Sequence, residues 1–150
     1  MTKSEISHRI SQLEWDISGA KSRRAGAEMN IRQLEALSSC CNAYQMELES
    51  ARIGRKGKLE VFSGISGQAR LVDVYGAAMG ELLNGAEYAR AYGSMDAARA
   101  EISREIERQR QTINDCNGQI AGANGSIGYW RQQLANADKE AENAGYRVGY

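Results

Sequence analysis

The sequence predicts an all-α chain, an elongated antiparallel hairpin of long coiled-coil helices. Three observations predict it. Apolar residues step by four and three from Ile102 to Val148, with proline absent from the whole chain and a glycine- and serine-rich interval near its middle. A helix that turns every 3.6 residues can keep a 3.5-residue stripe on one side only by winding around another helix. Proline would break such a helix by removing a donor and adding a ring clash. Glycine and serine clusters mark turns.

The 150 residues fit a single helical domain, 1–150. Nineteen basic residues balance nineteen acidic ones, so no strong field draws nucleic acid or an anionic membrane. Hydrophobic content of 42% with a single Phe suits a thin fold better than a deep core. Sixteen glycines oppose helix formation, each costing roughly 1 kcal/mol against Ala inside a helix.

The first helix is expected at about 4–53. Ile6, Ile10, Leu13, Ile17, Ala20, Arg24, Ala27, Ile31, Leu34, Ser38, Cys41 and Leu48 follow the four-three rhythm. Ser4 is placed to cap it, and Glu5 lies in the first turn, where negative charge is favoured. Arg24 interrupts the stripe, and its stem is expected to lie along the apolar surface with its head in water. The turn is expected at 54–65, where Gly54, Gly57 and Gly64 cluster with Ser63.

A long helix, or a helix pair, is expected over 66–148. Leu71, Tyr75, Ala78, Leu82, Ala89 and Tyr92 form its first stripe, and the phase slips near Tyr92-Gly93-Ser94-Met95. A break near Gly93 makes three helices; continuity makes a hairpin, favoured by the helix-forming run Asp96–Glu101. At 1.5 Å per residue the first helix spans roughly 70 Å and an unbroken later one roughly 120 Å. That mismatch leaves an apolar end for a partner chain to cover.

The stripe from Ile102 continues through Ile106, Gln109, Ile113, Cys116, Ile120, Ala123, Ile127, Trp130, Leu134, Ala137, Ala141 and Ala144 to Val148. Ile106, Ile113, Ile120, Ile127, Trp130 and Leu134 are the candidate partner-binding residues. Gly118, Gly122 and Gly125 repeat the spacing two residues away, about 200° round the helix. They form either a shallow groove for a second helix or a solvated back face. Trp15 flanks the first stripe, where seam-edge packing is the expectation; an exposed Trp15 would mark a partner anchor.

No catalytic residue, cofactor site or metal site is indicated. His8 is the single histidine, too few for a triad or a His-rich metal site. Cys40 and Cys41 are adjacent and point about 100° apart on a helix. With Cys116 they form an odd set that reads as reduced thiols of a cytosol. Glu101, Glu105 and Glu107 sit among arginines as ion-pair lacing of an exposed face. Gly54–Gly57 with Arg55, Lys56 and Lys58 does not match a phosphate-binding loop. No apolar run reaches 18 residues, so no membrane insertion is expected. Met1-Thr2-Lys3-Ser4-Glu5 lacks the apolar stretch of a signal peptide. The expected location is cytoplasmic, with any export by a signal-peptide-independent route.

Two long amphipathic helices about a glycine-containing turn resemble the WXG-type helical hairpins of type VII secretion. The pattern is closer still to the small YwqH-like proteins that accompany LXG-type toxins in Gram-positive bacteria. Phe62-Ser63-Gly64 stands where that family shows Trp-x-Gly, with Gly67 just beyond. Tyr92-Gly93-Ser94-Met95-Asp96 has the spacing of the Tyr-x-x-x-Asp/Glu signal carried by secretion partners, although it is internal. The resemblance implies a non-enzymatic adaptor. Its partner would be a helical protein, either a toxin's N-terminal domain or a second small helical protein. A self-associating structural coiled coil, such as a filament or virion component, is the alternative, and makes a homo-oligomer the partner.

Overall fold

The computed structural model describes residues 1–63 and 85–147, and the side chains of 1–57, 85 and 87–145. It is all-helical, with no strand among the described residues. Helix α1 covers Lys3–Ser63 and helix α2 covers Ala86–Arg147. The two pack against each other as a hairpin.

Helix α1 starts at a capping box built on Thr2, two residues earlier than the expected cap Ser4. Thr2 Oγ1 accepts from the Glu5 N–H at 3.2 Å, and the Glu5 carboxylate accepts from the Thr2 N–H at 2.6 Å. Two orphan donors of the first turn are thereby satisfied. The Thr2 N–H, more than any other group, holds the Glu5 carboxyl below its ordinary range.

At its other end α1 corrects the expected boundary. Residues 54–63 are helical where the sequence predicted a turn. Gly54 and Gly57 keep ordinary helical backbone, with no positive φ. Their cost, roughly 1 kcal/mol each, is spread among the good helix formers Arg55, Lys56, Lys58, Leu59 and Glu60. The rest of that turn, the start expected near Ser66 and the stripe Leu71–Leu82 lie outside the described residues.

Helix α2 passes Gly93 without interruption. The predicted phase slip is absent. Tyr88, Tyr92, Met95 and Arg99 are half-buried and lead at four-three spacing into buried Ile102, while Ala89 is exposed. Charged Arg99 occupies a seam position, and Ala89 lies off it.

The chain forms two compact units. The first comprises Met1–Ile31 and Glu107–Tyr150. Its core is Ile6, Ile17, Ala20 and Ala27 from α1 with Cys116 and Ile127 from α2. Burying an aliphatic side chain of this size is worth about 1.5–3 kcal/mol. A polar border fixes the antiparallel direction, since partner numbers fall on α2 as they climb on α1. Lys3 pairs with Asp138 and Glu14 with Arg131 at 3.1 Å. Arg23 donates to Gln119 at 2.8 Å, Arg24 to Asn117 at 2.9 Å and Asn30 to Gln109 at 3.4 Å. Arg24 is half-buried with its guanidinium at this border, the posture expected of a long charged stem on an apolar stripe. Ala141 and Ala144, predicted to continue the stripe, are exposed. Lys3 opens α1 and meets Asp138, so those later turns of α2 extend past it.

The second unit is Arg32–Ile106. Its α1 face is Leu34, Ser38, Cys41, Gln45, Leu48, Arg52 and Lys56, and its α2 face is Tyr88, Tyr92, Met95, Arg99, Ile102 and Ile106. This seam is markedly more polar than the first.

Candidate functional site

Of the predicted partner-binding residues, Ile127 is buried and Ile106, Ile113, Ile120, Trp130 and Leu134 are half-buried. They lie on the α2 face that packs on α1 of the same chain. The covering helix demanded by the stripe is therefore supplied by α1 of the same chain. Gly118, Gly122 and Gly125 lie outside the seam and are exposed. A Cβ added at any of them would meet nothing within 4 Å.

Phe62 falls in the last turn of α1, whereas Gly64 and Gly67 lie outside the described residues. Tyr92 and Asp96 do come together, one turn apart on α2, but both face the second unit's polar seam. Gln45 is buried, with 3% exposure. Its amide donates to the Asp96 carboxylate at 2.7 Å and to the Tyr92 carbonyl at 3.2 Å, and its carbonyl accepts from Arg99 at 3.0 Å. Both amide hydrogens and the oxygen are used, as a buried amide requires. The sequence reading missed Gln45. Counting four from Cys41 and three back from Leu48 lands on it, so the signal was present in the spacing and hidden by polarity.

Next to it lies an aromatic and charged cluster. The Tyr88 hydroxyl donates to Glu49, and Arg52 donates to the other Glu49 oxygen at 2.9 Å. The Arg52 guanidinium also lies 4.8 Å from the Tyr88 ring centroid, a cation–π distance. The Tyr88 and Tyr92 rings are 5.9 Å apart. The Tyr88 hydroxyl holds the Glu49 carboxyl below its ordinary value, and Glu49 in turn raises the Tyr88 phenol. A cleft of about 430 Å³ opens beside the cluster, lined by Tyr44, Glu47, Leu48, Ala51, Arg52, Arg55, Glu87 and Tyr88. Its two arginines and two glutamates balance, which gives it no net pull on an ion.

The largest departure from expectation is on the outer surface. Trp15 is 76% exposed rather than tucked against the seam edge. In the second unit Leu37 and Tyr44 are exposed, as are Met46 at 66% and Ile53 at 60%. Each of those two pairs is spaced by seven residues, so each pair repeats on one side of α1. Met46 and Ile53 border a groove of about 390 Å³ with Asn42, Gln45, Glu49, Ser50, Tyr92 and Arg99.

Among the described residues no group of three or more His, Cys, Asp or Glu side chains is placed to hold a metal ion. No described helix is long and apolar enough to cross a membrane. No family model matches the chain, and no curated protein or solved structure matches it.

Proposed function

We propose that the chain is a non-enzymatic helical adaptor that holds a second helical protein against the outside of its second unit. The observation that carries this reading is the repeat of exposed apolar side chains on α1. Met46 and Ile53 recur at seven on one flank of α1, and Leu37 and Tyr44 do so on another, about 180° round the helix; the first pair, beside the groove, is the docking flank. Apolar side chains at that interval suit a partner helix that presents its own heptad stripe. Because the chain's own seams are used internally, the partner docks outside rather than inserting between α1 and α2. The N-terminal domain of an LXG-type toxin is the partner class implied by the hairpin's resemblance to type VII secretion proteins. Export of such a toxin by a signal-peptide-independent route follows from the same resemblance.

Co-expression with the N-terminal helical domain of an LXG-type toxin tests the proposal. A stable co-purifying complex is expected, lost in M46D/I53D while far-UV helicity is unchanged. Capture that is indifferent to those two substitutions removes the Met46 and Ile53 flank as the docking site. Absence of any complex removes the toxin assignment.

A further inference from the structure

From the outer face of α1 in the first unit we infer a second binding surface, whose occupant is another copy of this chain. Trp15 stands at its centre, 76% exposed. One heptad further along the same face stands Ser22. Around Ser22 the same face carries the small residues Ser18, Gly19, Ala25 and Gly26, and exposed Met29 bounds it one heptad beyond. Gly26 has open space where a Cβ would be. A large knob and a shallow hole therefore share one face, two helical turns apart. An isologous pair needs just such a self-complementary patch, because a two-fold axis brings each knob to the other copy's hole.

The charges flanking the two positions have opposite signs. Trp15 lies between Glu14 and Asp16, and Ser22 lies between Lys21 and Arg23. All four flanking residues are exposed. Side-by-side antiparallel packing that seats Trp15 over Ser22 of the second copy keeps like helix flanks together. Glu14 then meets Lys21 of the second copy, and Asp16 meets its Arg23. Two-fold symmetry repeats both contacts, so four complementary pairs ring two buried tryptophans. Asp16 and Lys21 form no ion pair among the described residues. Glu14 and Arg23 make border contacts with Arg131 and Gln119, both exposed enough to be shared. Opposed charges of this kind select register and direction more than they add affinity, while the tryptophan supplies the apolar anchor. The surface is separate from the Met46 and Ile53 groove, so self-association does not depend on the adaptor reading.

Sedimentation velocity on the full chain over a concentration series is the test. The expected result is a reversible species of twice the 16.5 kDa monomer mass, with no larger assembly. W15S should remain monomeric. D16R and R23D should each weaken the dimer about tenfold, and D16R/R23D should recover it because the two charges exchange places across the axis. M46D/I53D should dimerise normally. A monomer at every concentration overturns the inference, as does a dimer insensitive to W15S. Failure of D16R/R23D to rescue overturns the antiparallel register, and open-ended growth overturns the closed pair in favour of a staggered head-to-tail chain.

Discussion

Gln45 on α1 and Asp96 on α2 are joined by a 2.7 Å hydrogen bond at a position where a coiled coil ordinarily places an aliphatic side chain. The bond matters because Gln45 is buried while Asp96 is exposed on one side. The amide is thus covered by the very groups that satisfy it. Moving α2 one turn along α1 would strand it, so this contact works as a register pin in a seam whose apolar residues alone tolerate sliding.

Gln45→Ala should destabilise the chain by about 2 kcal/mol, from the lost hydrogen bonds and the desolvated groups left behind. Urea unfolding monitored by circular dichroism measures it. A loss under a few tenths of a kcal/mol would show that the polar contact is incidental.

The Tyr88–Glu49 contact predicts a pH window. Glu49 is held below its ordinary 4.5, so its contribution is present above that value and fades as pH falls through the depressed pKa. Tyr88 is raised above its ordinary 10.0, so its contribution is full below pH 10 and fades as pH rises through the raised value. The melting-temperature gap between the native chain and Tyr88→Phe should be flat between these limits and shrink beyond both. A gap that instead varies steadily across neutral pH would show that other groups dominate.

Ile127→Asp should unfold the first unit, because a carboxylate placed at a 5% exposed position costs well over 3 kcal/mol or must stay protonated. Glu107→Lys, at an exposed position, should change stability by less than about 0.5 kcal/mol. Thermal melts of the two variants side by side would contradict the internal seam if they matched.

Gly122→Ala and Gly125→Ala should each stabilise α2 by about 1 kcal/mol, since neither new methyl meets another atom and alanine is the better helix former. Chemical denaturation reads the gain directly. A loss on either substitution would reveal a close neighbour at that face in solution.

Much of this architecture is legible from spacing alone. The four-three rhythm marks nearly every position that the helices bury, from Ile6 to Leu48 and from Ile102 to Ala137. It fails where polarity and position part company: Gln45, Arg52 and Arg99 occupy seam sites without being apolar. It also fails at Gly54 and Gly57, where local preference argued for a turn and a long helix absorbed the cost. What the spacing could not settle was where the covering helix comes from. A stripe states that something must lie on it, but not whether that something belongs to the same chain, and here α1 does. Trp15 shows the converse limit. Its place between Leu13 and Ile17 suggested the edge of the core, yet only coordinates distinguish a flanking position from one turned fully outward.

The burial of Cys116 beside the openness of Cys40 gives the molecule an intrinsic clock. Cys116 is 3% exposed in the first unit, whereas Cys40 is exposed and Cys41 half-buried in the second. A thiol-reactive dye should therefore label Cys40 and Cys41 at once and reach Cys116 only as often as the two helices separate. The slow phase of that reaction counts opening events of the native state, without any probe having to be engineered in.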